Sequence, residues 1–551
     1  MERIDPIFAV VTAPGTPFEI IERDGLRQFA NAEPDLNLMI EAARRHGDKI
    51  CVVDFSSDGR ERRLTFNQIF AWRDELAPVL GIRRGERVAI CMRNRAEWMV
   101  AFFAIMKAGG VAVLINSRGS PVELVGMIED AFPSLVLTDS RRTALIREGG
   151  YAGRILDLTK PFDVSVIERV TEDPGTASAL APCCILFTSG TTGHVKGVVL
   201  SHRSLITGLM ATQLSGTMIL HNMARTYGVS VQEILEKLPQ QAVLLVYPLF
   251  HVSGLGSTFL SPFFAGTKVV MMRRWDAEGA VRLIEREKIT QLTAVPTMLW
   301  DLLHRAKLGD ANLASLRSVG SGGQALPVNL LGEVRAASPN AVMGTGYGMT
   351  ETAGAIAQSI GEDFTRKPVS AGRVLPLADA RIVGPKNEDL SAGQSGEIQV
   401  RGAMVMLGYW NRPADNAATF TEDGWLRTGD VGFVDDEGYI FIIDRMKDMV
   451  ISGGENIYCA EVERVLGEMP GIKECAAFGI ADERLGELLV AVVVAESQNE
   501  QEVVHWVADR LARYKAPGRV AFSKEPLPRN HLSKINKMAL RQAWPELAGE
   551  K

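Results

Sequence analysis

Hydrophobic and polar positions follow two alternating patterns over residues 36–139. Residues 87–92 and 111–115 are mostly apolar runs, which is typical of buried strands. Residues 98–107 lie between them with the spacing of a helix, and Gly109-Gly110 ends that helix. Strands that alternate with helices in this way predict a parallel sheet covered by helices.

The middle of the chain continues with helices and strands of similar length. Ser201-His202 begins a helix that we expect to run to about Leu214, and residues 215–241 fit one short amphipathic helix. Residues 242–247 predict a strand, which leads into the segment 248–251. Residues 253–258 are small, and this much glycine is unusual in a helix. They either leave open space beside the helix or let a neighbour pack closely.

The last hundred or so residues predict a smaller unit of mixed structure. Residues 452–456 predict a loop, and residues 488–495 predict a strand. Apolar side chains fall on one face of each of two helices, the first with Val462, Val465, Leu466 and Met469, the second with Val504, Val507 and Leu511. The pattern is that of a small α+β domain.

Residues 188–197 join two apolar runs through a turn rich in glycine and hydroxyl groups: Thr188-Ser189-Gly190-Thr191-Thr192-Gly193-His194-Val195-Lys196-Gly197. Glycines let backbone N–H groups turn inward, hydroxyl groups add donors and Lys196 adds a cation, so this composition suits a triphosphate. The commonest phosphate loop is excluded, because its lysine directly follows the last glycine and is followed by a hydroxyl. The segment predicts a strand, a phosphate-binding loop and a second strand.

Length and composition set wider bounds. A chain of 551 residues is too long for one hydrophobic core and implies at least two domains. Hydrophobic residues make up 46% and charged residues 23%, with a net charge of −6, which gives no general affinity for nucleic acid. The 6 cysteines lack C-x-x-C spacing, which argues against disulfides and zinc. We see no signal-like N-terminus and no transmembrane segment, and we expect a cytoplasmic protein.

The glycine- and hydroxyl-rich loop resembles the T-S-G-T-T-G-x-x-K-G signature of the adenylate-forming superfamily of acyl-CoA synthetases, luciferases and peptide-synthetase adenylation domains, although Val195 replaces the usual proline. The resemblance covers about residues 36–541 and includes further motifs in the family's order. Residues 344–351 match Y-G-x-T-E, residues 424–430 match W-x-x-T-G-D, residues 444–448 match D-R-x-K-D, and residues 528–535 resemble P-R-x-x-x-G-K-[IVL].

The resemblance implies an α/β fold class with two domains. Residues 1–446 would form a large N-terminal domain of several subdomains, with parallel-rich sheets and helices, that binds AMP and the acyl group. Residues 447–551 would form a small, mobile α+β domain that acts as a lid, with the hinge at Lys447.

The family's roles fall on particular residues of this chain. A hydroxyl beside a carboxylate at a tight turn suits phosphate and Mg²⁺, because that ion takes hard oxygen ligands. By resemblance, Thr350 would contact the α-phosphate, Glu351 would hold magnesium, and Asp430 would accept hydrogen bonds from both ribose hydroxyls. The other expected nucleotide contacts are Thr188, Ser189, Gly190, Thr191, Thr192, Gly193, Lys196, Tyr347 (stacked on adenine), Gly348, Met349, Arg445 (on ribose) and Lys447.

Two glycine-containing segments have alternative interpretations. Residues 320–325 satisfy the dinucleotide fingerprint G-x-G-x-x-[GA], but Asn340 stands where an acidic ribose ligand belongs, and the preceding strand does not open the fold. The resemblance instead places Gly322 and Gly323 against adenine and the carboxylate substrate. It also gives His251 the role of opening or closing an acyl pocket. If the small residues after it leave open space, Gly254 and Gly256 would lie along one wall of an acyl tunnel, and close helix packing is the alternative.

The basic C-terminal segment carries the expected catalytic lysine. Residues 513–541 contain several basic residues and one acid, Glu525, which suits the phosphates of ATP or coenzyme A. By resemblance Lys534 is the adenylation lysine, although Ser533 replaces the usual glycine, and Lys537 is the next candidate. Gly453 and Gly454 lie in a loop similar to that of fatty-acyl-CoA synthetases, which favours coenzyme A as the acceptor.

The resemblance therefore implies a two-step ligation of a carboxylic acid, through acyl-AMP, to coenzyme A, with ATP and Mg²⁺. The small residues at 253–258 favour a medium- or long-chain fatty acid. Aryl acids, transfer to a carrier protein and oxidative light emission remain alternatives within the family, and an inactive nucleotide-binding module remains one from another class. The expected partners are the small-molecule acid, ATP and coenzyme A, with no nucleic acid, and a homodimer stays open.

Overall fold

The structure is a computed structural model that describes residues 6–55, 59–160, 173–189, 195–309, 311–322, 328–453, 455–495, 499–529 and 535–549. Residue contacts divide the chain into two compact units. Unit 1 contains Met1–Asp379 and Val400–Leu426, and unit 2 contains Ala380–Gln399 and Arg427–Lys551. This grouping describes packing and does not test a hinge, so the domain boundary at Lys447, between residues 1–446 and 447–551, stays a prediction.

The helices and strands of unit 1 follow the alternation that the sequence predicts. The helices are α1 (Pro6–Val11), α2 (Leu36–Ala42), α3 (Phe66–Leu76), α4 (Ala96–Lys107), α5 (Pro121–Ala131), α6 (Ser140–Glu148), α7 (His202–Tyr227), α8 (Val231–Lys237), α9 (Val252–Leu255), α10 (Ser261–Phe264), α11 (Ala277–Glu287), α12 (Pro296–Leu308), α13 (Val328–Ala337), α14 (Glu362–Arg366) and α15 (Pro413–Thr419). The strands are β1 (Ile20–Arg23), β2 (Leu26–Phe29), β3 (Ile50–Phe55), β4 (Glu61–Thr65), β5 (Arg87–Cys91), β6 (Val111–Leu114), β7 (Leu135–Thr138), β8 (Ile155–Asp157), β9 (Pro182–Ser189), β10 (Val195–Ser201), β11 (Ala242–Leu245), β12 (Lys268–Met271), β13 (Gln291–Ala294), β14 (Ser318–Gly322), β15 (Val342–Met349), β16 (Gly354–Ile360), β17 (Gly372–Val374) and β20 (Gly408–Tyr409).

Unit 2 is built mostly of strands with helices against them. Its strands, some of which begin or end in unit 1, are β18 (Ala378–Val383), β19 (Gly396–Gly402), β21 (Leu426–Val434), β22 (Tyr439–Arg445), β23 (Val450–Ser452), β24 (Glu455–Ile457), β25 (Ile472–Asp482), β26 (Gly486–Ala495) and β27 (Arg519–Ser523). Its helices are α16 (Cys459–Gly467), α17 (Glu500–Ala508) and α18 (Lys537–Leu547).

One sheet of unit 1 has the strand order β20-β10-β9-β6-β5-β7-β8. The strands from β9 to β8 are parallel in this order, whereas β10 and β20 are antiparallel to their neighbours. Helix α4 is almost wholly buried against this part of the unit, from Ala96 to Met106. The predicted parallel sheet with covering helices is therefore present.

A second sheet in unit 1 contains the order β17-β16-β15-β14-β13-β11-β12-β3-β4. Its central strands, from β15 to β3, pair in parallel. Helices α11 and α12 bury leucines such as Leu283 and Leu302 in the same core as Leu244 and Leu292 of the strands. Because ligands bind at the carboxyl ends of parallel strands, Tyr247, Gly322 and Thr350 lie where a site is expected.

Helix α7 is longer than the sequence analysis predicts. It does not end near Leu214 but runs to Tyr227, where Gly228 adopts a left-handed conformation with φ of 66°. Residues 215–227 contain no proline, and their one glycine, Gly216, does not end the helix. The short amphipathic helix expected in residues 215–241 is α8, whose residues are all at least partly exposed.

Unit 2 contains a small α+β arrangement, as expected. Strands β24, β23, β26 and β25 form a sheet to which β27 adds in parallel, and α16 and α17 share one apolar core with it. Helix α18 contributes Leu540 and Trp544 to a separate core with Phe478. No helix in the described parts of either unit combines the length and the apolar character that a membrane span requires.

Candidate active site

The predicted phosphate loop closes a β-hairpin. Strands β9 and β10 pair with Ser189 opposite Val195 and Thr188 opposite Lys196, so both predicted flanking strands are present. Gly197 requires a small residue, because a Cβ there would lie 2.9 Å from the Ile185 side chain. Residues 190–194, which include Gly190, Thr191, Thr192 and Gly193, lie outside the described residues.

Lys196 is held by groups that are distant in sequence. Its Nζ lies 2.5 Å from Oδ1 of Asp415 and 5.1 Å from the ring centroid of Tyr409. The Lys196 side chain is only 13% exposed. Strand β20 brings Tyr409 here by pairing with β10, with Tyr409 opposite Val198. The ammonium group is therefore fixed at the end of the hairpin next to the predicted phosphate loop.

Glu351 lies in a single 3-10 turn, Thr350–Thr352, directly after β15. The hydroxyl of Tyr409 donates to Oε1 of Glu351 at 2.9 Å, and the backbone N–H of Met406 donates to the Glu351 carbonyl at 2.8 Å. Burial, and then the Glu351 carboxylate, raise the pKa of Tyr409, so the phenol stays protonated as a donor. Tyr409 thus joins Glu351 to Lys196.

The strand before Glu351 makes a close backbone approach. A Cβ on Gly348 would lie 1.9 Å from the carbonyl oxygen of Gly354, so only glycine fits there. The pairing of β15 with β16 is irregular at this point, between Tyr347 and Gly348. Such an irregularity reorients the side chains that follow it, here Met349 and Thr350.

Asn94 organises the turn that precedes His251. Its Nδ2 donates to the Tyr247 carbonyl at 2.8 Å, and its Oδ1 accepts from the Leu249 N–H at 3.0 Å. The Tyr247 hydroxyl donates to the carbonyl of Gly322 at 3.2 Å. The turn is therefore tied to the end of β14, while Gly323 lies outside the described residues.

The small-residue segment contains both a close contact and an open space. Nδ1 of His251 accepts from the Ser253 N–H at 3.3 Å and caps α9. A Cβ on Gly254 would lie 1.9 Å from the Pro248 carbonyl, whereas one on Gly256 would meet nothing within 4 Å. Gly256–Leu260 is a π-helical turn, a feature frequent at functional sites. Of the two alternatives for this segment, close packing is found at Gly254 and open space at Gly256.

In unit 2, the predicted ribose ligand and its neighbour lie together. Asp430 in β21 pairs with Arg445 in β22, and Nε of Arg445 lies 3.3 Å from Oδ1 of Asp430. The Asp430 N–H donates to Oγ1 of Thr428 at 3.1 Å. Asp430 is buried, with Arg445 about half exposed beside it. A buried carboxylate at a partly open edge suits a hydroxyl-bearing ligand.

For several predicted site residues, the structure describes the backbone alone or nothing. Lys534 and Gly454 lie outside the described residues, and nothing is described of the side chains of Ser189 and Lys447. Gly453 follows β23 with φ of 60° and donates its N–H to the Leu485 carbonyl at 2.8 Å. These predicted roles stay predictions.

Three basic residues of the C-terminal segment form ion pairs within unit 2. Lys515 pairs with Glu461 at 2.6 Å, Arg529 with Glu474 at 2.9 Å, and Lys537 with Glu463 at 2.8 Å. The glutamates belong to α16 and β25, which are distant in sequence from the basic segment. These three cations are thus paired within unit 2, and the role of Lys537 as the next candidate for the catalytic lysine stays a prediction.

Sequence reasoning missed Tyr409, Asp415 and Asn94. Tyr409 lies outside the motifs, and its position depends on the pairing of β20 with β10, two strands that are far apart along the chain. Asn416 fixes Tyr409 further, since its side chain exchanges two hydrogen bonds with the Tyr409 backbone at 2.6 and 3.0 Å. Gly408 and Tyr409 lie shortly before Pro413, which begins α15, and this was the one local signal for a short strand. No sequence spacing connects that strand to the phosphate loop.

Comparison with known families identifies the class of protein to which this chain belongs. The model of the AMP-binding enzyme family matches residues 39–410, and that of the AMP-binding enzyme C-terminal domain matches residues 461–534. The chain belongs to this family, the adenylate-forming superfamily of acyl-CoA synthetases, and is an AMP-forming acid–thiol ligase that uses ATP and coenzyme A.

Its relatives differ in the acid they activate. The chain is similar to a long-chain-fatty-acid–CoA ligase of Mycobacterium tuberculosis, with 32% identity over 94% of this chain and 97% of the relative. It is also similar to an indoleacetate–CoA ligase of Aromatoleum aromaticum, with 36% identity over 88% of this chain and 93% of the relative.

A solved structure gives the same picture of the fold. ATP-bound MatB from Rhodopseudomonas palustris has a TM-score of 0.77 and 28% identity, covering 92% of this chain and 99% of that chain. The predicted α/β fold with a large N-terminal and a small C-terminal domain is confirmed.

Proposed function

We propose that this protein couples a carboxylic acid to coenzyme A through acyl-AMP, and that the acid is a medium- or long-chain fatty acid. One observation carries the proposal for the first step. Tyr409 brings the Lys196 ammonium and the Glu351 carboxylate to one place beside the predicted phosphate loop. A cation for phosphate oxygens and a carboxylate for a metal are what a triphosphate site requires.

Each step forms one bond and breaks another. In the first, a carboxylate oxygen attacks the α-phosphorus of ATP, the bond from that phosphorus to the β-phosphate bridge breaks, and pyrophosphate leaves. In the second, the thiol sulfur of coenzyme A attacks the acyl carbon, the bond to AMP breaks, and the thiol proton passes to solvent. The protein supplies positioning and charge in both steps, and no side chain needs to act as a nucleophile.

Residues of unit 1 hold the phosphates in this proposal. Thr188, Ser189 and residues 190–193 surround them with donors, and Lys196 exchanges its contact with Asp415 for phosphate oxygens. Thr350 donates to the α-phosphate, and Tyr347, Gly348 and Met349 lie against adenine with Gly322 and Gly323. The buried position of Thr350 at the carboxyl end of β15 supports its role, because a buried hydroxyl is well placed to donate to an anion.

Magnesium fits the acidic turn. Mg²⁺ in nucleotide sites takes one or two carboxylates and completes its shell with phosphates and water. Glu351 supplies one carboxylate, 6% exposed, and no cluster of three or more candidate ligands was found among the described residues. The ion, when bound, would neutralise phosphoryl charge. The chain's own part is to hold Glu351 in place through Tyr409.

Residues of unit 2 complete the two half-reactions in this proposal. Asp430 binds the ribose hydroxyls with Arg445 beside it, supported by their 3.3 Å contact. Lys534 acts in acyl-AMP formation, Lys447 is the hinge, and the loop with Gly453 and Gly454 serves coenzyme A. The order of motifs in the sequence supports these roles.

The fatty-acid assignment rests on the segment after His251. In this proposal, His251 itself opens or closes the acyl pocket. Gly256 leaves open space beside the π-helical turn, which suits an extended chain. The similarity to a long-chain-fatty-acid–CoA ligase supports it. An aryl acid is the second candidate, favoured by the 36% identity to an indoleacetate–CoA ligase.

A substrate panel tests the assignment. AMP release with ATP and coenzyme A is measured for saturated fatty acids of increasing length and for benzoate-, cinnamate- and indoleacetate-type acids. The proposal predicts the highest kcat/KM for a medium or long fatty acid. A higher value for any of the aryl acids would refute it while leaving the ligase chemistry intact.

A further inference from the structure

Unit 2 holds a group of partly buried charges outside the proposed nucleotide contacts. Lys537 begins α18, and its Nζ lies 2.8 Å from Oε1 of Glu463 in α16. The two side chains are 18% and 24% exposed. The same Glu463 oxygen accepts from the Ala477 N–H of β25 at 2.8 Å. Glu463 therefore ties three elements of the unit together.

Asp444 is the third member of this charge cluster, which consists of Asp444, Glu463 and Lys537. It lies at the end of β22, where Oδ2 accepts from the Ala460 N–H in the first turn of α16 at 2.9 Å. Burial raises the pKa of Asp444, and the Lys537 ammonium opposes that effect. Burial also acts to lower the pKa of Lys537, but Glu463 outweighs it, so the pKa lies above its ordinary value and the charge is kept.

The cluster adjoins the base of the segment that leads to Lys534. The Asn536 N–H donates to the Pro528 carbonyl at 2.7 Å, and Arg529 and Ile535 pair as an antiparallel bridge. Glu474 of β25 holds the start of this base through Arg529 at 2.9 Å. Glu463 holds its end through Lys537. Both sides of the base are thus held by partly buried glutamates.

The cluster also reaches the strand end that carries the proposed ribose contact. Asp444 is followed by Arg445, whose N–H donates to Oδ1 of Asp444 at 2.7 Å. Adjacent residues of a strand point to opposite faces, so Asp444 turns toward α16 while Arg445 turns toward Asp430. Helix α16 consequently links Lys537, beside the base of the lysine segment, with the end of β22.

We propose that Asp444, Glu463 and Lys537 are positioning residues for acyl-AMP formation. The inference rests on the proposed function. Through α16, the cluster links residues 535–537, which follow residues 530–534 in the chain, to the strand end that carries Arg445. We infer that this link sets where Lys534 can act. Removing the Lys537 charge leaves the partly buried Glu463 without its cation, and a carboxylate in that position without a partner favours local rearrangement.

Separate assays of the two half-reactions test this proposal. Lys537→Gln is expected to slow acid-dependent pyrophosphate release by about a hundredfold, the scale that a misplacement of about 1 Å produces. Thioester formation from supplied acyl-AMP and coenzyme A should keep the wild-type rate. Lys537→Arg should restore most of pyrophosphate release, because it keeps the charge. The loss should fall on kcat, with KM for ATP unchanged.

Two further variants separate positioning from folding. Glu463→Gln combined with Lys537→Gln removes both members of the ion pair, so neither charge is left without its partner, and the variant should stay folded yet be slow in the first step only. Arg464→Gln is the matched control on the same helix, because it removes only the exposed pair with Glu468. It should match wild type in both steps.

The outcomes are decisive in either direction. Selective loss of the first step, rescued by arginine, supports the proposal. Wild-type rates in Lys537→Gln, or equal slowing of both steps in parallel with a lower Tm, would overturn it. If wild type itself releases no pyrophosphate with any acid, the proposed function fails, and this inference fails with it.

Discussion

Tyr409 connects two side chains that are far apart in the sequence. Its hydroxyl donates to Glu351 at 2.9 Å, and its ring lies 5.1 Å from the Lys196 ammonium. The sequence motifs name Lys196 and Glu351 but contain nothing that brings them together. At the scale of single residues, the candidate site therefore depends on a tyrosine that belongs to none of the motifs.

Tyr409→Phe tests that role. Phenylalanine keeps the ring beside Lys196 but removes the donor to Glu351. A hydrogen bond to a charged group contributes roughly 1.5–3 kcal/mol, so kcat/KM for ATP should fall by about 10- to 150-fold. Pyrophosphate release at varied ATP measures the effect.

The matched control for that variant is Tyr227→Phe, at a side chain that is 68% exposed. The control should behave as wild type. Equal kcat/KM for ATP in Tyr409→Phe and wild type would show that the tyrosine does not position the carboxylate.

Glu351→Gln tests the metal assignment. Glutamine can still accept from Tyr409, so the fold should persist with little change in Tm. Loss of the carboxylate should lower pyrophosphate release by about 10²–10³, the scale seen when one preorganised charge contact is removed. Titration with Mg²⁺ at fixed ATP measures it, with the exposed Glu362→Gln as control. Unchanged turnover at limiting Mg²⁺ would contradict the assignment.

At the scale of elements, the segment after His251 contains two glycines with opposite surroundings. Alanine at Gly254 would place a Cβ 1.9 Å from the Pro248 carbonyl, so Gly254→Ala should distort the turn that Asn94 holds. Alanine at Gly256 meets nothing within 4 Å, so Gly256→Ala should fold normally and even gain up to about 1 kcal/mol of helix propensity.

Thermal unfolding and acyl-chain kinetics distinguish the two variants. Gly254→Ala should lower Tm and abolish turnover with every acid. Gly256→Ala should keep Tm and raise KM for the longest fatty acids, because the methyl group enters the open space. If Gly256→Ala leaves the chain-length profile unchanged, this space does not receive the acyl chain.

The same scale shows which elements a sequence can predict. Short strands such as β5 and β6 could be predicted because a short, mostly apolar run that follows a glycine is too short for a typical helix. The predicted end of α7 near Leu214 was wrong because residues 215–227 contain no strong helix-ending signal. The helix ends at Gly228, which adopts a left-handed conformation. Long-range pairing, as of β20 with β10, leaves no local pattern, so the neighbours of Lys196 could not be predicted.

At the scale of the whole molecule, the account predicts that one lysine serves one half-reaction. Lys534→Ala should lower acyl-AMP formation by about 10²–10³, the scale of one preorganised contact, and still convert supplied acyl-AMP and coenzyme A to thioester. Lys447→Pro should do the reverse, because proline fixes φ at the predicted hinge in the turn Met446–Asp448.

Both half-reactions are measured for both variants, with Lys524→Ala as a control in the same basic segment. Equal slowing of the two steps by Lys534→Ala would mean that the small domain does not alternate between them. Full activity of Lys447→Pro in both steps would place the hinge elsewhere.

The central claim is that the acid passes through acyl-AMP, and labelling its carboxylate with heavy oxygen tests this most directly. Wild-type protein is incubated with the labelled acid, ATP, Mg²⁺ and coenzyme A, and the products are analysed by mass spectrometry. The account predicts AMP that carries one labelled oxygen, because the carboxylate oxygen that attacks the α-phosphorus stays with AMP when the thiol displaces it. Formation of ADP, or of AMP without label, would contradict the account.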